Sequence, residues 1–267
     1  MEVKQKIAYI VTENGCMNPQ SGAYQHIAVG MRELGEYFEV VPFLPSCPPS
    51  IPAAHAKRDQ DPCKHRGALY CALRDLRDLW RVSLAAWKVS SHVKRAGCTM
   101  AYVRVQALSP VTLLLRLRGV HTFLEANGLQ FESRRKYFHS LLAPCYEPYE
   151  RLIYRTASHV FFVGSYGDYW NLPKGNWTNV ENGIENDFIA DFSKPRPIKT
   201  GPLRLAFVGS LMSHHRPDVL IEALKEFAVG RDVELHLIGS KLDTVVGALQ
   251  GVLKVVDHGF LEREQLS

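Results

Sequence analysis

Two glycines stand where a phosphate could be held. Gly209 ends the apolar run Leu203–Val208, and Gly239 ends Val233–Ile238. A glycine at a strand end carries no Cβ, so backbone N–H groups can close on an anion. Between Gly209 and the next helix lie Ser210, His214, His215 and Arg216, all able to donate hydrogen bonds to phosphate. Pro217 and Asp218 then open an amphipathic helix, whose N-terminus adds partial positive charge. Arg216 is preferred to His215 as the phosphate cation, because a guanidinium is always charged and can bind through two N–H groups. His215 would be charged only part of the time near neutral pH. Such a glycine loop recurs in many βα turns, so alone it decides little.

The elements that must position these residues can be read from the same pattern. Strand, loop, helix and strand from Leu203 to Gly239 form a βαβ unit, and Leu253–Asp257 reads as a third strand. The N-terminal half repeats the logic. Ile7–Val11 is a buried strand, Gly15–Gln20 a loop, Ala23–Leu34 a helix ended by Gly35, and Phe38–Leu44 a second strand, an order that implies parallel pairing. Met100–Val105, Val120–Leu124 and Val160–Val163 are further short strands. Asn186–Pro202, with Pro195, Pro197 and Pro202, is an interdomain linker.

These segments carry a family resemblance. Val180–Ile184 reads VENGI, with Phe188 four residues on; after the linker come FVGSL, RPDVLIEAL, LIGS and VVDHGFLEREQL. Together they resemble the family 4 glycosyltransferases of the GT-B fold, from the SGAYQH segment near Gly22 to Leu266 and most densely from Val180 onward. The resemblance implies an α/β protein: a Rossmann-like domain over residues 1–186, a linker at 187–202, and the first part of a second Rossmann-like domain at 203–267. It implies a nucleotide-sugar donor bound by the second domain through Gly209, Ser210, His215, Arg216 and Gly239. It also implies a saccharide or lipid-linked acceptor at the first domain. The expected reaction is hexosyl transfer, with retained configuration, in cytoplasmic polysaccharide or glycolipid synthesis. No metal or other cofactor is expected, because basic side chains and helix N-termini meet the charge on the leaving diphosphate.

The family pattern also assigns residues in the first domain. Glu125 and Asn127, in VHTFLEANG, occupy the neighbourhood of the family's catalytic histidine. Glu125 reads either as a strand-end carboxylate meeting an acceptor hydroxyl or as a solvated loop residue. Arg104, after MAYV, has the same two readings. Gly22 and Arg104 together would face phosphate or acceptor. His121 reads as a packed core histidine. Two features depart from the family: Ser210 replaces a usual basic residue, and the family's glutamate pair, seven residues apart farther along, is missing before Ser267. An alternative is therefore a non-catalytic or split chain needing a partner subunit for the donor half. A plain nucleotide-binding dehydrogenase or epimerase ranks last, since no G-x-G-x-x-G follows Ile7–Val11.

Composition bounds the rest. The 267 residues are 46% hydrophobic and 22% charged with a net charge of +5, which suits a globular protein with polyanionic ligands and gives no sign of nucleic acid. Six scattered cysteines without C-x-x-C read as reduced. No run reaches the length of a membrane span. In Leu69–Arg95, Leu69, Leu73, Leu76, Trp80, Leu84 and Trp87 recur at helical spacing beside Arg74, Arg77, Arg81 and Lys88. That helix either anchors peripherally at an anionic membrane or packs its Leu/Trp stripe on the sheet with its cations in water. Packing is preferred, since amphipathic core helices are the commoner kind.

Overall fold

The computed structural model describes residues 4–12, 22–45, 68–104, 108–129, 131–132, 142–181, 201–210, 217–240 and 242–261. Strand β1 is Lys6–Val11, α1 Gly22–Tyr37, β2 Glu39–Phe43, α2 Ala68–Arg95, β3 Met100–Arg104, α3 Val111–Leu117 and β4 His121–Ala126. Then follow α4 Ala143–Thr156, β5 His159–Val163, β6 Trp177–Val180, β7 Leu203–Ser210, α5 Pro217–Ala228, β8 Val233–Ser240, α6 Asp243–Leu249 and β9 Lys254–Asp257. The chain divides into two units, Met1–Ile184 and Glu185–Ser267. The linker expected at 187–202 lies almost wholly outside the described residues, as do His215 and Arg216.

In the first unit six parallel strands form one sheet in the order β2-β1-β3-β4-β5-β6. Parallel strands are covered on both faces, which is why β1 is buried over five successive residues. Its alternation splits the core in two. Ala8 and Ile10 join Ala101, Val103, Leu124, Ala126, Val160 and Phe162 in the larger cluster. Tyr9 and Val11 point the other way and pack with Ile27 of α1. The register places Tyr9 beside Tyr102, Val11 beside Arg104, and Arg104 beside Glu125. Tyr102, Arg104 and Glu125 therefore share the face that α1 covers, near the C-terminal strand ends. Strand order reverses direction between β1 and β3, where open α/β sheets bind their ligands.

Three expectations about this unit fail. The Leu/Trp stripe of α2 does not pack on the sheet: Leu69 is 74% exposed, Trp80 70% and Trp87 57%, and Leu73, Leu76 and Leu84 are exposed as well. The helix instead buries Cys71, Asp75, Ala86, Ser90 and Val93. These residues recur at helical spacing on a different side, and most are small enough to let the helix come close. His121 is not a core histidine; as the first residue of β4 it is exposed. Gly35 does not end the first helix, which continues to Tyr37.

In the second unit three parallel strands pair in the order β7-β8-β9, and α5 and α6 close an apolar cluster of Leu224, Leu235, Leu237, Leu242, Val245 and Leu249. Gly209 and Gly239 are directly paired, with φ of 142° and 143°. A Cβ on Gly239 would run into the Gly209 carbonyl, and the Gly239 N–H donates to the Gly259 carbonyl at 2.7 Å. Strain at such a φ and a backbone collision together should cost Gly239→Ala about 3 kcal/mol or more. Hydrogen exchange checks this: amides of β7–β9 should exchange faster in the variant while those of β1–β5 keep their rates. Unchanged protection in β7–β9 would contradict the fit.

Candidate functional site

The sharpest cluster of polar residues is built around Glu125. Its side chain is 2% exposed, on β4, so the solvated-loop reading fails. Four neighbours point at it. The Tyr102 hydroxyl donates to Oε2 at 2.9 Å, and the Asn127 amide donates to Oε1 at 2.7 Å. His26 Nε2 lies 3.2 Å from Oε2, and Arg104 Nε lies 3.8 Å from Oε1. Strand alternation sets Tyr102 and Arg104 two residues apart on one face, and the second turn of α1 brings His26 over them.

The electrostatics follow from these partners. Burial pushes the Glu125 carboxyl up, but the His26 hydrogen bond and charge, Arg104 and the Asn127 amide together hold it down at about 2. Glu125 is thus a fixed anion at neutral pH and does not itself accept a proton there. Burial and the neighbouring Glu125 push Tyr102 well up, which keeps its hydroxyl protonated and donating. The His26 side chain is 34% exposed, against 2% for Glu125. A buried carboxylate that takes the Nε2–H fixes the imidazole and leaves Nδ1 for another partner. Tyr9, stacked on Tyr102 at 5.3 Å, backs the floor of the cluster.

The structure brings Glu125, Asn127 and Arg104 together as one network. It adds the start of α1 to them, since the Arg104 guanidinium reaches the Ala23 carbonyl at 3.5 Å, one residue beyond Gly22. His26 and Tyr102 are functional candidates that sequence reasoning missed. A signal existed for His26: it is the last residue of the SGAYQH segment that carries part of the resemblance. Gly209, Ser210 and Gly239 sit together at the C-terminal ends of β7 and β8 in the second unit.

Comparison with known proteins shows the fold and stops there. No protein-family model matches the chain, and no curated protein matches it. Solved structures do. The galactosyltransferase WaaB of the lipopolysaccharide outer core, without ligand, aligns at TM-score 0.57 and 13% identity over 98% of this chain and 70% of its own. A glycosyltransferase from Rickettsia africae aligns at TM-score 0.51 and 11% identity, over 97% of this chain and 69% of its own. Anabaena HepE, solved with UDP and glucose, aligns at TM-score 0.51 and 12% identity, over 96% and 70%. This chain therefore has a parallel-sheet, Rossmann-like α/β fold of the GT-B type, one unit and part of a second.

Proposed function

We propose that this chain is a family 4-like glycosyltransferase that moves a hexose from a nucleotide sugar to a saccharide or lipid-linked acceptor. The observation that carries the reading is the buried, ionised Glu125 holding His26 at the strand ends of a GT-B sheet. Residues 1–186 serve as the acceptor side, 187–202 as the linker and 203–267 as the donor side. His26 meets the acceptor hydroxyl. As the new C1–O bond forms and the bond from C1 to the diphosphate breaks, Nδ1 takes the hydroxyl proton, and Glu125 steadies the resulting imidazolium. Asn127 and Tyr102 keep Glu125 in place, while Arg104 and the α1 N-terminus at Gly22 offer positive potential to an anionic group. Gly209, Ser210, Gly239, His215 and Arg216 hold the donor diphosphate, without metal. The reading places the enzyme in cytoplasmic polysaccharide or glycolipid synthesis. A non-catalytic chain or a split half that needs a partner subunit is not favoured, since a buried carboxylate network is costly to keep where no chemistry uses it.

Calorimetric titration with nucleoside diphosphates tests the donor side. Binding of at least one diphosphate is expected, with Arg216→Ala weakening it about tenfold, as the loss of a charge-assisted phosphate contact should. If the arginine variant binds as tightly as the wild type, the role given to Arg216 is wrong. If no diphosphate binds, the donor reading fails.

A further inference from the structure

The exposed side of α2 has a composition that nothing in the sugar-transfer reading uses. Leu69, Leu73, Leu76, Trp80, Leu84 and Trp87 are all more than two-fifths exposed. At about 100° per residue they fall within an arc of roughly 80°, so they form one stripe about 27 Å long rather than scattered surface leucines. Arg77, Arg81 and Lys88 are exposed and follow the stripe round the helix, inside an adjacent arc of about 40°. Arg77 pairs with Asp78 at 3.3 Å, whereas Arg81 and Lys88 make no ion pair among the described residues. The carboxylates of the helix, Asp75 and Asp78, lie farther round toward its buried side. The Arg118 guanidinium lies over the Trp87 ring at 4.6 Å and adds a cation at the C-terminal end of the stripe.

We propose that α2 seats the protein on an anionic lipid surface, lying in the interfacial plane with its Leu/Trp stripe among the acyl chains. Arg77, Arg81 and Lys88 then face the headgroup phosphates. Charge complementarity selects this occupant. A second copy docking through the same stripe would bring these cations against their own equivalents, with no free carboxylate opposite. An anionic bilayer supplies both an apolar layer for the stripe and negative charge at the depth of the lysine and arginine heads. No helix among the described residues is long and apolar enough to cross a membrane, so the contact is one of lying on the surface. Tryptophans within such a stripe suit the interface, where one side of the ring is apolar and the other wet.

The experiment uses the full chain and vesicles of phosphatidylcholine alone or with phosphatidylglycerol, in the absence of any sugar substrate, so its outcome is separate from that of the sugar-transfer reading. Trp170 is fully buried and Trp177 partly so, which leaves Trp80 and Trp87 as the reporters among the four tryptophans. The expected result is co-flotation with the anionic vesicles and a blue shift in tryptophan emission. Trp80→Ser with Trp87→Ser should lower the partition coefficient at least tenfold. Arg81→Gln with Lys88→Gln should lower it about tenfold on anionic vesicles only, and added salt should do the same. All four positions are exposed, and circular dichroism of each variant confirms that it folds. Wild-type protein that stays in solution with anionic vesicles overturns the proposal. So does equal binding by the tryptophan pair variant, or a wild-type dimer that this variant converts to monomer.

Discussion

Glu125→Gln should lower sugar transfer about 100-fold while leaving nucleoside diphosphate affinity unchanged. The glutamine is isosteric, but it removes the charge that orients His26 and balances Arg104, and it turns one acceptor oxygen into a donor amide facing other donors. Losing the group that holds a catalytic imidazole typically costs one to two orders of magnitude or more. The same change is measurable without substrate. In the wild type the carboxyl is held at about 2 against an ordinary 4.5. A depressed carboxyl contributes stability that is present above 4.5 and is lost as pH falls through about 2; over that interval the contribution is about 3 kcal/mol. Glu125→Gln should therefore unfold at lower urea than the wild type at pH 7, and the difference should shrink toward zero as pH approaches 2. Unfolding curves that differ by the same amount at both pH values would mean that the carboxyl is not held as an anion.

Glu150 shows the opposite case, and the effect should be comparable. It sits on α4, 2% exposed, with neither carboxyl oxygen in a full hydrogen bond among the described residues. Burial pushes it up to about 8; the Phe131 amide opposes this only in part, and the charge of Glu147 adds to it. The unfolded chain releases this proton near 4.5, but the folded one keeps it until about 8. Where the folded state binds more protons, stability falls as pH rises, so the first unit should lose up to about 5 kcal/mol between these values and then level off. Glu150→Gln removes that slope. Urea midpoints at pH 5, 7 and 9 should decline for the wild type and stay level for the variant, which becomes the more stable protein at pH 9. Parallel declines would show that Glu150 is ionised and paired.

Much of the fold can be read from the sequence, because it rests on local signals. Apolar runs locate β1, β7 and β8, the last two ending in glycine, and the strand–helix–strand order gives parallel pairing. What escapes is anything that needs the register. Glu125 and His26 are far apart in the chain and meet only because β4 lies beside β3 and α1 covers that face. Arg104 becomes Glu125's neighbour through the β3–β4 register alone. The packing of α2 is ambiguous in the sequence for a different reason. Spacing shows that Leu69 to Trp87 share a side, but it does not show which side meets the sheet. The small residues Cys71, Ala86 and Ser90 permit a closer approach and take the buried position instead.

If this chain transfers sugar with His26, held by Glu125, as its base, turnover must depend on that imidazole. The most direct measurement incubates the full chain with a panel of labelled nucleotide sugars and mixed saccharide and lipid acceptors. It follows release of the nucleoside diphosphate for the wild type and for His26→Asn. Release from at least one nucleotide sugar is expected, stimulated by acceptor, with a drop of about 100-fold in His26→Asn and no loss of diphosphate binding. Equal turnover by wild type and His26→Asn would contradict the site. Failure of every nucleotide sugar to react or bind would contradict the function.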